Sequence, residues 1–259
     1  MSAWPYSLPA APGGTAGLLL ALVITLLLAY ASYRARALTR SAAAVAALFG
    51  GLILFLAGIP YLALLILFVL AGTLATRYGW EEKVARRLEE ASEGQRGVPN
   101  VLAHIVVPLA ISALVPLDPF LASSGWAPFL YVSALACGTA DTFASEFGVL
   151  SGKAYSILTL RPVKPGTNGG VSPAGELWAF VGALVTVTVG SAFFLVLGSG
   201  LAVSPTLWFA GGTLLGFVGC QVDSLLGLTL ENRGHLGKGQ VNFLAMLVTV
   251  LLAFLVVFA

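Results

Sequence analysis

Residues 137–176 read CGTADTFASEFGVLSGKAYSILTLRPVKPGTNGGVSPAGE. The stretch begins as an apolar helix that carries two carboxylates, Asp141 and Glu146. A polar loop follows, then the glycine-rich turn 166–170, and Ser172 marks the start of another helix. Glycine-rich turns that lead into a helix amino terminus are typical of phosphate sites, because free backbone N–H groups point at the anion. The stretch therefore predicts metal-assisted chemistry on a phosphorylated substrate.

The composition of the chain places it in a membrane. Of its 259 residues, 58% are hydrophobic and 9% are charged, and the mean hydropathy is +0.96. Soluble domains carry roughly 25% charged residues. We therefore predict an all-α polytopic helix bundle in the lipid bilayer, with residues 1–259 forming a single membrane domain. The net charge of +2 gives no sign of a nucleic-acid partner, and none is expected.

Eight apolar segments are separated by polar or glycine- and proline-containing connections. Each segment is near the roughly 20 residues that a helix needs to cross a bilayer. They are residues 15–33, 41–57, 61–76, 100–117, 126–150, 173–197, 206–228 and 241–258. The longest polar loops are at about 77–99, 151–172 and 229–240. We therefore predict about eight transmembrane helices.

The basic residues predict the orientation. The 13 lysines and arginines fall as three, five, three and two in alternate connections, which leaves none for the termini or the other connections. Loops rich in lysine and arginine face the cytoplasm. The sequence thus predicts cytoplasmic polar loops, non-cytoplasmic termini and an active site that faces the cytoplasm.

Three carboxylates lie within apolar segments, at a similar depth on the cytoplasmic side. Charged groups in such places cost roughly 2.5–3.5 kcal/mol, so a function is expected of them. We predict that Asp141 and Asp223 are catalytic ligands of Mg²⁺ or Mn²⁺, with Glu146 as a further ligand, because magnesium prefers carboxylate and phosphate oxygens. Asp141 and Glu146 are about 140° apart on a helix. Either the helix unwinds near Gly148 or the two differ in role, and Glu146 could instead pair with Lys153.

Several polar and cationic residues are candidates for binding substrate or nucleotide phosphates. Ser172 suits a helix N-cap, and consecutive glycines let N–H groups turn toward one anion. Lys164 is a further candidate for catalysis, because it precedes the turn by two residues. The candidate phosphate ligands are Arg77, Lys83, Arg96, Lys153, Gly166, Thr167, Asn168, Gly169, Gly170 and Ser172. An equal alternative for Arg77 and Arg96 is contact with anionic lipid.

Other polar features admit more ordinary interpretations. Residues 81–93 predict a solvated helical arm with an i,i+4 pair between Glu82 and Arg86, or else a lid. His104 and His235 lack a partner at metal-ligand spacing and are interpreted as ordinary polar residues. Small residues such as those at 211–212 allow close helix packing within or between subunits, which leaves room for a homo-oligomer.

With these motifs in hand, the chain resembles the family of plant phytyl-phosphate kinase and vertebrate transmembrane protein nineteen. The matching motifs are GTLATRYG at 72–79, GQR at 94–96, ADTFASEFG at 140–148, KPGTNGGVS at 164–172 and VDSLLG at 222–227. The resemblance implies an NTP-dependent kinase that converts an isoprenoid monophosphate, of phytyl or geranylgeranyl type, to the diphosphate. It implies a site lined by Asp141, Glu146, Lys164, Thr167, Asn168, Asp223, Arg77 and Arg96.

Other activities remain open at this point. The order of motifs is also similar to that of CTP-dependent polyprenol kinases, so the nucleotide could be CTP, ATP or another NTP. A lipid nucleotidyltransferase would use the same kind of site. An ion-coupled transporter or flippase would instead use the intramembrane carboxylates for coupling, usually near the midplane.

Overall fold

The computed structural model describes residues 15–89, 94–117, 126–197, 201 and 203–258, and within them the chain is predominantly helical. The α-helices are α1 (Thr15–Arg34), α2 (Arg40–Ala57), α3 (Ile59–Arg77), α4 (Trp80–Arg86), α5 (Val98–Leu117), α6 (Trp126–Gly148), α7 (Pro173–Leu197), α8 (Gly212–Leu226) and α9 (Lys238–Phe258). Two π-helical turns, Leu207–Gly211 and Gly227–Glu231, extend α8 at both ends. A short 3-10 turn, Val149–Ser151, follows α6.

Seven helical segments in the described part of the chain are long and apolar enough to cross a membrane. They comprise α1, α2, α3, α5, α7, α9 and the segment Leu207–Glu231 that contains α8. This confirms the predicted all-α membrane fold. The remaining predicted segment, residues 126–150, forms α6, which is not among these seven. The count of eight membrane spans therefore stays a prediction. The predicted tail 1–14 and the turn 118–125 lie outside the described residues.

Helix α6 forms the centre of the bundle. It packs against α3, α5, α7, α8 and α9. Residues 127–140 of this helix are all buried, with Phe129, Tyr131 and Leu135 inaccessible to solvent. Gly216 of α8 lets the two helices approach, since a Cβ atom there would lie 2.7 Å from the Cβ of Ala136. The outer helices instead expose their leucines, as expected of surfaces that contact lipid tails.

Short polar side chains define where two of these helices begin. Thr39 Oγ1 accepts a hydrogen bond from the Ala42 N–H at the start of α2. Ser172 Oγ accepts from the Gly175 N–H at 3.0 Å, and Pro173 occupies the first position of α7. Both contacts satisfy N–H groups that have no partner within the helix. The predicted N-cap at Ser172 is confirmed.

A small antiparallel sheet lies in the connection between α6 and α7. Its strands are β1 (Ala154–Ser156), β2 (Pro162–Val163) and β3 (Gly170–Val171), in the order β2-β1-β3. Tyr155 pairs with Pro162 on one side and with Val171 on the other. The sequence analysis did not predict this sheet. It anchors both ends of the segment that contains the glycine-rich turn.

The four connections that carry the basic residues meet at one end of the bundle. Arg77, after α3, donates a hydrogen bond to the Ala35 carbonyl in the α1–α2 connection. Lys83 forms a salt bridge with the carboxyl-terminal part of α6. Asn232, after α8, donates to the Asn168 carbonyl in the α6–α7 connection at 3.4 Å. The polar residues singled out in the sequence therefore share one surface.

Candidate functional site

A cavity of about 260 Å³ opens beside the carboxyl-terminal half of α6. We call it the glycine-loop cavity, because the turn 166–170 forms one of its walls. The other walls come from Asp141 on α6, from Asp223 on α8, and from residues 87–89 after α4. The carboxylates and the glycine-rich turn therefore face the same space, although they are distant in sequence.

Most of the residues that the sequence singled out line this cavity. They are Asp141, Lys153, Gly166, Thr167, Asn168, Gly169, Gly170, Ser172 and Asp223. Five of the described lining residues are acidic and three are basic. The acidic ones are Glu89, Asp141, Glu176, Asp223 and Glu231, and the basic ones are Arg87, Lys153 and Lys238. This excess of carboxylates suits a ligand that brings its own positive charge, such as a nucleotide with a divalent cation.

Gly169 sets the position of the glycine-rich turn against α8. Its φ of +73° is in the left-handed region that favours glycine. A Cβ atom there would lie 2.9 Å from the Ser224 carbonyl oxygen and 3.2 Å from the Leu228 Cα. The turn also forms an internal hydrogen bond, from the Gly170 N–H to the Thr167 carbonyl at 2.8 Å. The turn is thus held close to the helix end that carries Asp223.

A second cavity, of about 300 Å³, lies on the other side of Asp141. We call it the arginine cavity, after Arg96 in its wall. Asp141, Ser145 and Lys238 line both cavities, so the two spaces adjoin. The remaining lining residues are Thr39, Thr76, Gln95, Gly97, Pro99, Asn100, His104, Thr142, Glu146, Gly239 and Asn242.

Glu146 is engaged in a buried ion pair. Its Oε2 lies 2.7 Å from Lys83 Nζ, and its Oε1 accepts a hydrogen bond from Thr76 Oγ1 at 2.6 Å. Lys83 is fully buried and also donates to the carbonyls of Ala75 and Thr76, at 3.0 and 3.3 Å. The three N–H donors of the ammonium group thus have three acceptors. This pair connects α4 to the ends of α3 and α6.

These contacts correct two of the predicted roles. Lys83 lines neither cavity, so its predicted contact with substrate phosphate does not fit this geometry. Each oxygen of Glu146 already accepts a hydrogen bond, one from Thr76 and one from Lys83, so the predicted role as a further metal ligand does not fit this geometry. No group of three or more His, Cys, Asp or Glu side chains suited to a metal occurs in the described part of the chain. Helix α6 stays helical to Gly148, so Asp141 and Glu146 differ in role.

Two other predicted residues lie away from both cavities. Lys164 is exposed, and its carbonyl accepts a hydrogen bond from the Thr167 N–H at 3.2 Å. The side chain of Arg77 is exposed at the end of α3 and bonds to the Ala35 carbonyl. Neither is among the cavity-lining residues. The predicted catalytic role of Lys164 and the predicted phosphate contact of Arg77 therefore do not fit this arrangement.

The structure adds polar residues that the sequence analysis did not assign to the site. Asn242 lines the arginine cavity and contacts Asp223, which lines the glycine-loop cavity. With its amide nitrogen toward Asp223, it donates to Oδ2 at 3.1 Å and to the Lys238 carbonyl at 3.0 Å, and its oxygen lies 3.3 Å from His104 Nε2. His104 Nδ1 lies 2.8 Å from the Asn100 carbonyl. The sequence analysis interpreted His104 as an ordinary polar residue. Its contact with Asn242 could not be predicted from the spacing of residues, because the two lie 138 positions apart.

A second addition is the pair formed by Gln221 and Glu176. Gln221 Nε2 donates to Glu176 Oε2 at 2.9 Å, which joins α8 to the first turn of α7. Glu176 lines the glycine-loop cavity four residues after the Ser172 cap. A carboxylate in the first turn of a helix interacts favourably with the helix dipole. Because this preference alone explains an acidic residue at the position of Glu176, the sequence offered no reason to assign Glu176 to the site.

Comparison with known proteins identifies relatives that cover most of the chain. "Uncharacterized membrane protein MJ0933" of Methanocaldococcus jannaschii is 32% identical over 232 residues, which are 89% of this chain and 90% of that protein. "Protein PGR" of Arabidopsis thaliana is 34% identical over 238 residues, 84% of this chain and 80% of that protein. "Uncharacterized membrane protein sll0875" of Synechocystis is 32% identical over 177 residues, 67% of this chain and 64% of that protein.

No solved structure matches the chain. A family model described as "Integral membrane protein DUF92" matches residues 23–250. The matched region includes both cavities and every residue that the sequence analysis proposed for the site. The helices long enough to span a membrane agree with that description. The chain therefore belongs to the DUF92 family of integral membrane proteins, and it is a multi-pass membrane protein.

Proposed function

We propose that the protein is a membrane-embedded kinase that transfers a phosphoryl group from an NTP to a prenyl monophosphate, giving the diphosphate, at the cytoplasmic face. The observation that carries this proposal is the glycine-loop cavity. There a glycine-rich turn, a helix amino terminus and carboxylates from two helices line one space at the end of a membrane bundle. The resemblance to the phytyl-phosphate kinase family supports the choice of a prenyl phosphate as acceptor.

The donor set of this cavity fits a divalent cation that arrives with a nucleotide. Asp141 and Asp223 both line the cavity, from α6 and from α8. Mg²⁺ is usually held by one or two carboxylates together with substrate phosphates and water, so a third protein carboxylate is not required. In this proposal Asp141 and Asp223 hold Mg²⁺ or Mn²⁺. The bound ion supplies neutralisation of negative charge on the nucleotide phosphates.

The residues of the chain bind and orient the phosphates. The turn 166–170 offers backbone N–H groups, and the amino terminus of α7 adds its dipole. Lys153 lines the same cavity and provides a positive charge for the donor phosphates. The close approach of Gly169 to α8, which leaves no room for a Cβ atom, keeps the turn near the helix that carries Asp223. Positioning and electrostatic stabilisation of this kind account for most of the catalysis of phosphoryl transfer.

The transfer itself needs no strong general base. An oxygen of the prenyl monophosphate is already anionic, and it forms the new bond to the γ-phosphorus. The bond between that phosphorus and the bridging oxygen breaks, and the NDP leaves with the electron pair.

Product analysis with purified protein tests the proposal. The protein is mixed with Mg²⁺, a panel of NTPs, and phytyl or geranylgeranyl monophosphate. Prenyl diphosphate and NDP should form in equal amounts. Release of pyrophosphate would instead indicate a nucleotidyltransferase, and monophosphate formed from the free alcohol would indicate a polyprenol kinase. A folded protein that yields no product in any mixture would contradict the proposal and favour the transporter.

Conservative variants of the two aspartates test the site within that activity. Asp141→Asn and Asp223→Asn each remove one charge with almost no change in shape. We expect each to reduce kcat at least about 100-fold, comparable to the loss of one group that stabilises the transition state. Glu82→Gln is the matched control, because Glu82 lies on α4 and pairs at the surface with Arg86. Equal activity in all three variants would remove the aspartates from the mechanism.

A further inference from the structure

The arginine cavity has a different charge from the glycine-loop cavity. Two carboxylates line it in the described part of the chain, and one of them, Glu146, is neutralised by its buried pair with Lys83. Asp141 is the other. Two basic residues, Arg96 and Lys238, line the same space. The balance therefore favours an anion that brings no metal ion, whereas the carboxylate-rich neighbour favours a metal-bound one.

Arg96 is held in place before any ligand arrives. The residue is buried, and its guanidinium group lies against Gly72 of α3, where an added Cβ atom would be 2.6 Å from Cζ. The Phe68 ring lies beneath it, with the centroid 5.7 Å from Cζ. The Arg96 N–H donates to the Ala37 carbonyl at 3.0 Å, which fixes the backbone. A guanidinium group held in this way loses little freedom when it contributes its positive charge to an anion site.

The helix ends around the cavity add to its positive potential. Three helices begin at its wall: Thr39 caps α2, Gly97 immediately precedes α5, and Lys238 and Gly239 begin α9. All four of these residues line the cavity. Each of these helices has 18 residues or more. Three amino termini of long helices thus converge on the space that Arg96 and Lys238 also line. Helix amino termini attract anions through their N–H groups and their dipole.

We propose that the arginine cavity binds the phosphate head of the prenyl acceptor and that the glycine-loop cavity binds the nucleotide phosphates. This assignment rests on the proposed kinase function. The two phosphates meet at Asp141, Ser145 and Lys238, which line both cavities. Lys238 therefore contacts the acceptor and donor sides together, and transfer occurs across the boundary between the cavities.

Binding measurements on the full chain in nanodiscs test this assignment without relying on turnover. One titration uses geranylgeranyl monophosphate in the absence of nucleotide, and another uses ATP or CTP with Mg²⁺. Geranylgeraniol and inorganic phosphate serve as the two halves of the lipid ligand. We expect the monophosphate to bind more tightly than either half, because the head and the prenyl chain both contribute.

Asn100→Asp is the most informative variant. Asn100 lines the arginine cavity as the third residue of α5, where an aspartate stabilises the helix dipole. The variant should therefore fold, yet it places a negative charge beside the incoming phosphate. We expect its affinity for geranylgeranyl monophosphate to fall about tenfold or more, with its affinity for the nucleotide unchanged. We expect the same result for Arg96→Gln. Lys153→Gln, in the other cavity, should show the reverse pattern.

The outcomes separate this assignment from the kinase proposal. Loss of nucleotide affinity in Asn100→Asp, with lipid binding retained, would overturn the assignment. So would diphosphate formation by Asn100→Asp with an unchanged KM for the prenyl monophosphate, while the kinase proposal would survive. Monophosphate binding that depends on Asn100 and Arg96, in a protein that forms no diphosphate, would support the assignment and contradict the kinase.

Discussion

At the residue scale, the pair of Lys83 and Glu146 joins a short surface helix to the centre of the bundle. Every donor of the Lys83 ammonium group has an acceptor, and Glu146 receives a second hydrogen bond from Thr76. A buried pair with its hydrogen bonds satisfied contributes little by itself, but removal of one partner leaves a buried charge without compensation. The pair is therefore a structural element beside the site, and it removes one negative charge from the arginine cavity.

Lys83→Met should destabilise the fold by about 3–5 kcal/mol, because Glu146 would remain buried without its cation. Replacement of both residues by methionine should recover at least half of that loss, since an apolar pair of similar volume replaces the charges. Thermal unfolding in detergent measures both effects. The exposed pair of Glu82 and Arg86 provides the control, and its removal should cost about 0.3–0.5 kcal/mol. A double variant no more stable than Lys83→Met would contradict this account.

The sequence identified the polar residues of the site better than it identified their partners. Asp141 and Asp223 could be predicted, because a carboxylate within an apolar segment is costly and expected to serve a function. The partner of Glu146 could not, because Lys153 is close in sequence whereas Lys83 precedes Glu146 by 63 residues. Only the packing of α3 and α4 against α6 brings the two together.

At the element scale, the glycine-rich turn acts as a small rigid unit. The β-sheet fixes its flanks, the Ser172 cap fixes the start of α7, and Gly169 fits against the end of α8. The turn contacts α8 next to the π-helical turn Gly227–Glu231, whose Gly227 and Glu231 also line the cavity. Such π turns are frequent at functional sites. The element presents backbone N–H groups in an arrangement set by three neighbours.

Gly169→Ala tests whether this fit positions the turn. The added methyl group cannot lie 2.9 Å from the Ser224 carbonyl, so the turn must move away from α8. We expect nucleotide affinity to fall about tenfold. Gly234→Ala is the matched control, because Gly234 has the same φ of +73° and no atom within 4 Å of an added Cβ.

Both variants require an alanine in the left-handed region, at a cost of about 1 kcal/mol. Any additional loss of stability or nucleotide affinity in Gly169→Ala comes from the crowding at α8. Equal behaviour of the two variants, by thermal unfolding and by nucleotide titration, would show that the contact with α8 does not position the turn.

Elements with a long apolar run were predictable, and the short ones were not. The apolar segments correspond closely to the observed helices, for example 173–197 to α7, because their lengths are set by the bilayer. The arm predicted at 81–93 overlaps α4, which begins at Trp80 and ends at Arg86, and the Glu82–Arg86 pair forms at 2.8 Å as expected. The arm is not wholly solvated, because Lys83 is buried, and residues 90–93 lie outside the described part. Strands of two or three residues show no period by which a pattern could reveal them.

At the scale of the whole molecule, the basic connections gather at the end of the bundle that contains both cavities. The positive-inside rule predicts that this end faces the cytoplasm. Both substrates would then be bound from the same side, the nucleotide from the aqueous phase and the lipid from the adjoining leaflet. The orientation is a prediction from the charges of the sequence, whereas the clustering of the loops is seen in the fold.

Cysteine labelling in intact cells checks this orientation. Cys137 and Cys220 are buried, so a membrane-impermeant maleimide should not react with them. A cysteine in place of the exposed Leu117, the last residue of α5, should react from outside. A cysteine in place of the exposed Leu158, in the connection between α6 and α7, should react only after the membrane is opened. Labelling of Leu158→Cys in intact cells would reverse the assignment.

The burial of α6 has a consequence for the biogenesis of the protein. This helix carries Asp141 and Glu146 and is not among the seven segments apolar enough to span a membrane unaided. A nascent segment of that polarity is poorly retained when it meets lipid alone. We therefore expect α6 to be retained in the membrane only once α5 and the later α7 pack against it, so that its stable insertion waits for a helix that follows it in the sequence.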